Sequence, residues 1–500
     1  MEERIVTITA GSIRGLRENG VSKFLGVPYA ASPTGARRFA LPEPHAPWTD
    51  IRDVTQPGPN APQAVRDLGG ALDPVPLVGA GWVKGDDFLS VNVWTPDEKA
   101  KGLPIMVFVH GGAFVVGSKD APINDGTEFA LAGVVLIAIN YRLGIEGFLP
   151  IPGAPANLGL HDQLEAFRWV KANAAAFGGD PDNVTVFGES AGAMTIANLV
   201  ASPASQGLFR RAIVESGHCA MVRKPKVAAK VVRKIAAILG VKPTLEGFRS
   251  ATLDACVDAM EKAQQPTLKL DLRDENGLEP TFGLSKFAPV TGDSLLPEDP
   301  IALLRKGAGK DVDLLIGTNL EEMSLYFGPL DIDKKVNGLI AWMLLRKSVR
   351  NAWDILKAYG MGKRIGGKRI TGGRALIDAL TDLVFRSPAR TMALAHQGRT
   401  HMYEFDYRSE AMDGKLGACH ALDVPFVFKT LKAAGGPRGI AGDNPPQALA
   451  DRCMQVWVDF ARDGTFPAED YKTASRPIFH LNIGRAVSDP PRAADAFLTR

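Results

Sequence analysis

Cysteine is scarce in this chain: Cys219, Cys256, Cys419 and Cys453 are the only four in 500 residues, and no two share a metal-ligand spacing. Their scarcity and spacing exclude a small disulfide scaffold and a zinc ribbon, and predict reduced thiols with no metal site. Long apolar runs are also missing, since no 18 consecutive residues are apolar, so no membrane-spanning helix is expected. The opening Met1-Glu2-Glu3-Arg4-Ile5-Val6-Thr7 lacks a basic start followed by an apolar segment, which makes cytoplasmic residence the expectation. Excess charge of either sign is nearly absent, because 58 Lys and Arg against 55 Asp and Glu leave a net +3. On that balance neither nucleic acid nor an anionic membrane is expected as a partner. Two local basic clusters, Arg223 to Lys234 and Lys363 to Arg374, are assigned to solvated surface. Internal repeats and extended low-complexity segments are absent as well.

The remaining composition, 45% hydrophobic and 23% charged, is that of an ordinary globular protein. Short β-branched runs alternate with helix-period segments. Pro104 to His110, Val134 to Tyr141, Val184 to Phe187, Arg211 to Glu215, Val312 to Ile316 and Met402 to Asp406 read as buried strands. Ala156 to Ala176 and Pro225 to Leu239 read as helices, the second with Val227, Val231, Ile235 and Leu239 on one face. The fold class that follows is α/β, with a mostly parallel, doubly wound central sheet. Before residue 100, short alternating strands such as Val6-Thr7-Ile8 and Val91-Asn92-Val93 predict antiparallel extensions of that sheet. Length alone would allow about three domains of about 150 residues. The helix-rich stretches 221–286 and 323–400 have no flexible linkers at their ends, however, so 1–500 is expected to be one domain with helical insertions over the C-terminal edge of the sheet.

One pentapeptide stands out. Gly188-Glu189-Ser190-Ala191-Gly192 follows the strand-like Val184-Thr185-Val186-Phe187 and precedes the helix-like Ala193 to Val200. A strand turning this sharply into a helix leaves no room for flanking side chains, and the serine Oγ is left exposed at a helix N-terminus, as a nucleophile requires. Serine is weakly nucleophilic at neutral pH and needs a general base, which needs a carboxylate to fix its tautomer. In α/β hydrolases the order along the chain is Ser, acid, His. Of eight histidines, His45, His110, His161 and His218 come too early, His396 is in a helix-like segment, His401 opens a strand and His480 is inside one. His420, in the loop after Met402 to Asp406, is left as the base. The acid is expected after Val312 to Ile316, where Glu321 and Glu322 are neighbours and pattern does not choose between them. The third requirement, N–H donors for an oxyanion, is met by Gly111 and Gly112 directly after a strand and by Ala191 beside the serine.

A collinear series of segments extends this reading over nearly the whole chain: Phe24-Leu25-Gly26-Val27-Pro28-Tyr29-Ala30, Gly85 to Val93, His110-Gly111-Gly112-Ala113-Phe114, Asn140-Tyr141-Arg142-Leu143-Gly144, Asn157 to Gln163, the serine elbow, and His420 to Phe428. In these the chain resembles the type-B carboxylesterase and cholinesterase family, the bacterial para-nitrobenzyl-esterase-like members in particular. The resemblance implies an α/β-hydrolase fold and a serine carboxylesterase that proceeds through an acyl-enzyme, with Ser190 as nucleophile, His420 as base, Glu322 rather than Glu321 as acid, and Gly111, Gly112 and Ala191 as the oxyanion hole. It implies a small-molecule ester as substrate and no cofactor. Phe88 stands where family members commonly carry cysteine, and no tryptophan sits at the spacing used for choline, Trp82 being too close to Asp86. Glu189 is read as a buried structural acid paired with a base, and His110 as structural. A carbamate, amide or xenobiotic-ester specialist and a non-catalytic binding module are the alternatives. Substrate choice is assigned to the 56–84 loop, the 270–290 segment and the helices of 323–400, with Phe282, Leu284, Phe287, Tyr326, Phe327, Leu330, Trp342, Met343 and Leu344 as pocket or core candidates. Activity is expected to fall as His420 protonates at or below about 6.5.

Overall fold

A computed structural model describes residues 2–64, 70–265 and 270–497. Its centre is a 13-stranded sheet. The N-terminal part comprises β1 (Glu2–Ile8), β2 (Gly11–Glu18), β3 (Val21–Pro28), β4 (Arg52–Asp53) and β5 (Ser90–Thr95). The middle comprises β6 (Leu103–Val109), β7 (Val135–Ile139), β8 (Gly179–Glu189), β9 (Arg211–Glu215) and β10 (Asp313–Asn319). A separate hairpin, β11 (Arg364–Ile365) and β12 (Lys368–Arg369), precedes β13 (Thr400–Phe405), β14 (Pro477–His480) and β15 (Arg485–Ser488). The order across the sheet is 1-2-3-5-7-6-8-9-10-13-14-15, with β4 beside β2. Strands β7, β6, β8, β9, β10, β13 and β14 run parallel, and β1, β2, β3 and β5 extend them antiparallel.

The central strands β6 and β7 are apolar at every position because both of their faces are covered. In β6, Ile105, Val107 and Val109 point into one core, while Met106 and Phe108 point into the other. Strand β7 divides in the same way, with Val135, Ile137 and Ile139 on one side and Leu136 and Ala138 on the other. The helices Leu158–Asn173, Ala191–Ala201 and Pro225–Leu239 supply the first core, and Gln447–Asp463 the second.

Several elements differ in extent from the sequence reading. The first predicted helix begins only at Leu158, since Asn157 is held at φ 54°, and it ends at Asn173 in a 3-10 turn, Ala174–Phe177. Strand β8 spans eleven residues, not four, while Val134, Val312 and Asp406 lie outside their strands. Within the first basic cluster, Arg223 is buried: its guanidinium donates to Glu279 Oε1 at 3.0 Å and Thr281 Oγ1 at 2.8 Å. Residues 266–269 of the 221–286 stretch, and 65–69 of the 56–84 loop, lie outside the described residues.

In the 323–400 stretch, the short helices Gly338–Leu345, Ala352–Ala358 and Gly372–Thr381 enclose a small core of their own, including Val336, Leu345, Ile355, Leu356 and Leu376. After Gly372–Thr381 the chain takes one π-helical turn, Asp382–Arg386, and resumes as Ser387–Ala395. Among the described residues no helix is long and apolar enough to cross a membrane, and all four cysteines are buried free thiols.

Candidate active site

At the C-terminal end of β8 the backbone turns at Ser190, which adopts φ 56°, ψ −123°. A non-glycine residue held there costs about 1–3 kcal/mol and persists only where its surroundings enforce it. They do so here. A Cβ on Gly192 would stand 2.1 Å from the Val109 carbonyl oxygen and one on Gly188 2.5 Å from the same atom, so both flanks must be glycine. The Ser190 amide donates to Glu215 O at the end of β9 (2.9 Å), which anchors the turn from the other side.

His420 lies in the loop after β13. Its Nε2 is 2.7 Å from Ser190 Oγ, and its Nδ1 is 2.6 Å from Glu322 Oε2. An ionised Glu322 accepts from Nδ1–H, which leaves Nε2 to receive the serine proton. The other Glu322 oxygen accepts from Ser216 Oγ and from the Asn319 amide, each at 2.7 Å, so the carboxylate is fixed at both ends. Asn319 Nδ2 also donates to Cys419 O, and the His420 amide to Glu322 O, lacing the acid loop to the base loop. The rings of Phe385 and Tyr326 flank the imidazole at 4.8 and 5.5 Å. Phe385 is carried there by the π turn, a winding that often marks functional sites.

The neighbouring Glu321 faces away. Its carboxylate accepts from the Ala418 amide at 3.0 Å and pairs with Arg408 at 2.9 Å and Arg374 at 3.8 Å. Glu189 is buried and does pair with a base, but that base is His420 itself, with Oε1 3.1 Å from Nε2. Burial alone would depress the His420 pKa. The carboxylates of Glu189 and Glu322 outweigh burial and raise it to about 9. Burial lifts the Glu189 carboxyl to about 8 against the pull of the imidazole. The expectation of about 6.5 for His420 rests on an ordinary histidine environment, and burial between two carboxyl groups is a different one.

The loop after β6 brings backbone against the serine. A Cβ on Gly111 would come within 3.1 Å of Ser190 Cβ, and Gly112, at φ +114°, leaves only 1.9 Å between such an atom and Val116 O. Among the described residues the amides of Gly111, Gly112 and Ala191 donate to no protein acceptor. Gly111 and Gly112 line one pocket at Ser190, and Ala191 lines the other. His110 Nδ1 lies 2.8 Å from Gly111 O, and its ring stacks on Tyr141 at 4.6 Å.

Two apolar lobes open from Ser190. Leu77, Val78, Ile123, Leu325 and Val424 line one; Phe114, Met194, Met221, Leu284 and Phe385 line the other, and Tyr326 borders both. Of the nine apolar candidates from the sequence, only Leu284 and Tyr326 line a lobe. Phe287 is core, and Leu330, Met343 and Leu344 are exposed. Trp82 lines neither lobe; it packs on the main core beneath the Lys84 ammonium. Sequence reasoning missed Ser216 as the Glu322 holder and Phe385 as the imidazole's neighbour, since neither position carries a local signal. Among the described residues no group of three or more His, Cys, Asp or Glu could hold a metal ion.

The profile of the carboxylesterase family matches residues 2–486. A para-nitrobenzyl esterase of Bacillus subtilis (strain 168) is 34% identical over 96% of this chain and 93% of its own length. Phenmedipham hydrolase of Pseudarthrobacter oxydans is 32% identical over 92% and 90% of the two chains. Among solved structures, a PNB esterase superposes with TM-score 0.82 at 31% identity over 100% of both chains. A Geobacillus stearothermophilus carboxylesterase superposes with TM-score 0.82 at 30% identity, covering 99% of this chain and 100% of that one.

Proposed function

The chain belongs to the carboxylesterase family and is a serine carboxylic-ester hydrolase, and from that premise we propose that Ser190, His420 and Glu322 carry out its chemistry within a single α/β-hydrolase domain. Ser190 Oγ attacks the ester carbonyl as its proton passes to His420 Nε2. The imidazolium that forms is held at Nδ1 by Glu322, with the Glu189 carboxyl group 3.1 Å from Nε2. The tetrahedral oxyanion takes the amides of Gly111, Gly112 and Ala191; one such donor is typically worth about 2.7–4 kcal/mol in the transition state. Nε2 then protonates the departing alkoxide, leaving acyl-Ser190. Water, deprotonated by the same nitrogen, releases the acid and restores the serine.

The observation that carries this reading is His420 bridging Ser190 at 2.7 Å and Glu322 at 2.6 Å beside three unspent amides. Two apolar lobes meeting at the nucleophile suit a small to medium hydrophobic ester, one side for the acyl group and the other for the alcohol. A para-nitrobenzyl ester is the first substrate to try. Ser190→Ala is expected to keep the wild-type circular dichroism, abolish turnover and abolish covalent labelling by an organophosphate. Labelling that persists in Ser190→Ala overturns the assignment.

A further inference from the structure

We propose that the 330–374 region is a docking face for an anionic lipid bilayer. The helix Gly338–Leu345 buries Ala341 and Leu345 and turns the opposite side outward, with Leu339 59%, Ile340 37%, Met343 44% and Leu344 48% exposed. Four large aliphatic side chains at i, i+1, i+4 and i+5 form one stripe, far more than the scattered apolar residues normal on a protein surface. Around that stripe the charge is one-sided. From 330 to 374 the sequence carries eleven Lys or Arg and three acids, Asp331, Asp333 and Asp354, a local net charge of +8 in a chain whose total is +3. Among the described residues only Arg374 of the eleven has a carboxylate within 4.0 Å. The β11–β12 hairpin, Arg364-Ile365-Gly366-Gly367-Lys368-Arg369, is exposed throughout, with Ile365 64% exposed beside its turn. Met361, just before the hairpin, packs against Gly338 at the start of the helix, so the basic hairpin and the apolar stripe are neighbours.

Aliphatic residues next to a basic hairpin whose cations have no carboxylate within 4.0 Å among the described residues match a bilayer's acyl layer under acidic headgroups. Arg346 lies over Trp342 at 4.5 Å and Lys357 over Trp353 at 5.9 Å, amphipathic pairs of the kind that settle at headgroup level. A second copy of the chain would bring +8 against +8, and nucleic acid offers nothing to Leu339 or Leu344. The near-neutral total conceals this face, because the rest of the chain carries a compensating negative excess.

Flotation of the full-length protein with phosphatidylcholine vesicles, and with vesicles mixing phosphatidylcholine and phosphatidylglycerol, tests the proposal. Binding to the mixed vesicles alone, weakened by salt, is expected. Leu339→Ser with Leu344→Ser, and separately Lys363→Glu with Arg369→Glu, should each weaken that binding about tenfold or more. No wild-type binding at low salt, equal binding to neutral vesicles, or unchanged binding by the serine variant each overturns it. A concentration-dependent dimer abolished by the serine substitutions, without vesicle binding, overturns it in favour of self-association. Turnover of a soluble short-chain ester, expected unchanged in both variants, reports folding and keeps this outcome separate from the catalytic assignment.

Discussion

The serine elbow and the helix Gly338–Leu345 belong to one chain but obey opposite constraints. At the elbow, backbone atoms stand so close that Gly188, Gly192 and Gly112 admit no side chain, and the polar groups of Glu322 are all engaged. On the outer side of Gly338–Leu345 the side chains of Leu339, Ile340, Met343 and Leu344 face solvent, and among the described residues the neighbouring cations other than Arg374 have no carboxylate within 4.0 Å. Close packing makes the first region intolerant of change, whereas the second is free to change without cost to the fold. A face that carries large apolar residues without that constraint calls for a cause outside the folded chain.

The comparison can be broken most forcefully at Glu322. Replacing it with Gln removes the charge that stabilises the imidazolium and disturbs the tautomer, and kcat should fall roughly ten-thousandfold with KM little changed; steady-state kinetics on a para-nitrobenzyl ester would show it, and a loss below tenfold would exclude Glu322 as the acid. Next in size is Gly192→Ala, whose methyl must displace the Val109 carbonyl from 2.1 Å; urea unfolding should register a loss of about 1–3 kcal/mol. Glu189→Gln sharpens the electrostatic part. Activity requires neutral His420, so with a pKa raised to about 9 the kcat/KM profile of the wild type should climb with pH towards that value. Replacing the Glu189 carboxyl group should move the rising limb to lower pH, and an unmoved limb would show that Glu189 does not control the base. The smallest effect is expected at Leu344→Ser, within about 0.5 kcal/mol of wild-type stability, because that side chain already faces solvent.

What could be read from the sequence follows the same division. The elbow, the parallel strands and His420 were legible because steric need and two-face burial leave local marks: glycines at fixed offsets and unbroken β-branched runs. Between Glu321 and Glu322 local pattern was silent, since one residue decides which carboxylate faces the imidazole and which meets Arg408; resemblance to a family named Glu322, and the distances place Glu322 at His420. Pocket walls were not legible. Leu77, Met221 and Phe385 come from three distant segments, and only tertiary packing makes them neighbours. Hydrophobicity misled at Met343 and Leu344, read as pocket or core candidates though they lie outside both. Composition misled at Arg223, where a basic run hid one side chain that turns inward to Glu279.

The end of β9 holds two members of the site at once. The carbonyl of Glu215 receives the Ser190 amide, and the hydroxyl of the very next residue, Ser216, holds Glu322. Nucleophile and acid, far apart along the chain, therefore share one mount. Lesions at Ser190 and Glu322 combined with a change at Ser216 will not add as independent losses, and the size of that departure measures how stiffly the mount transmits strain.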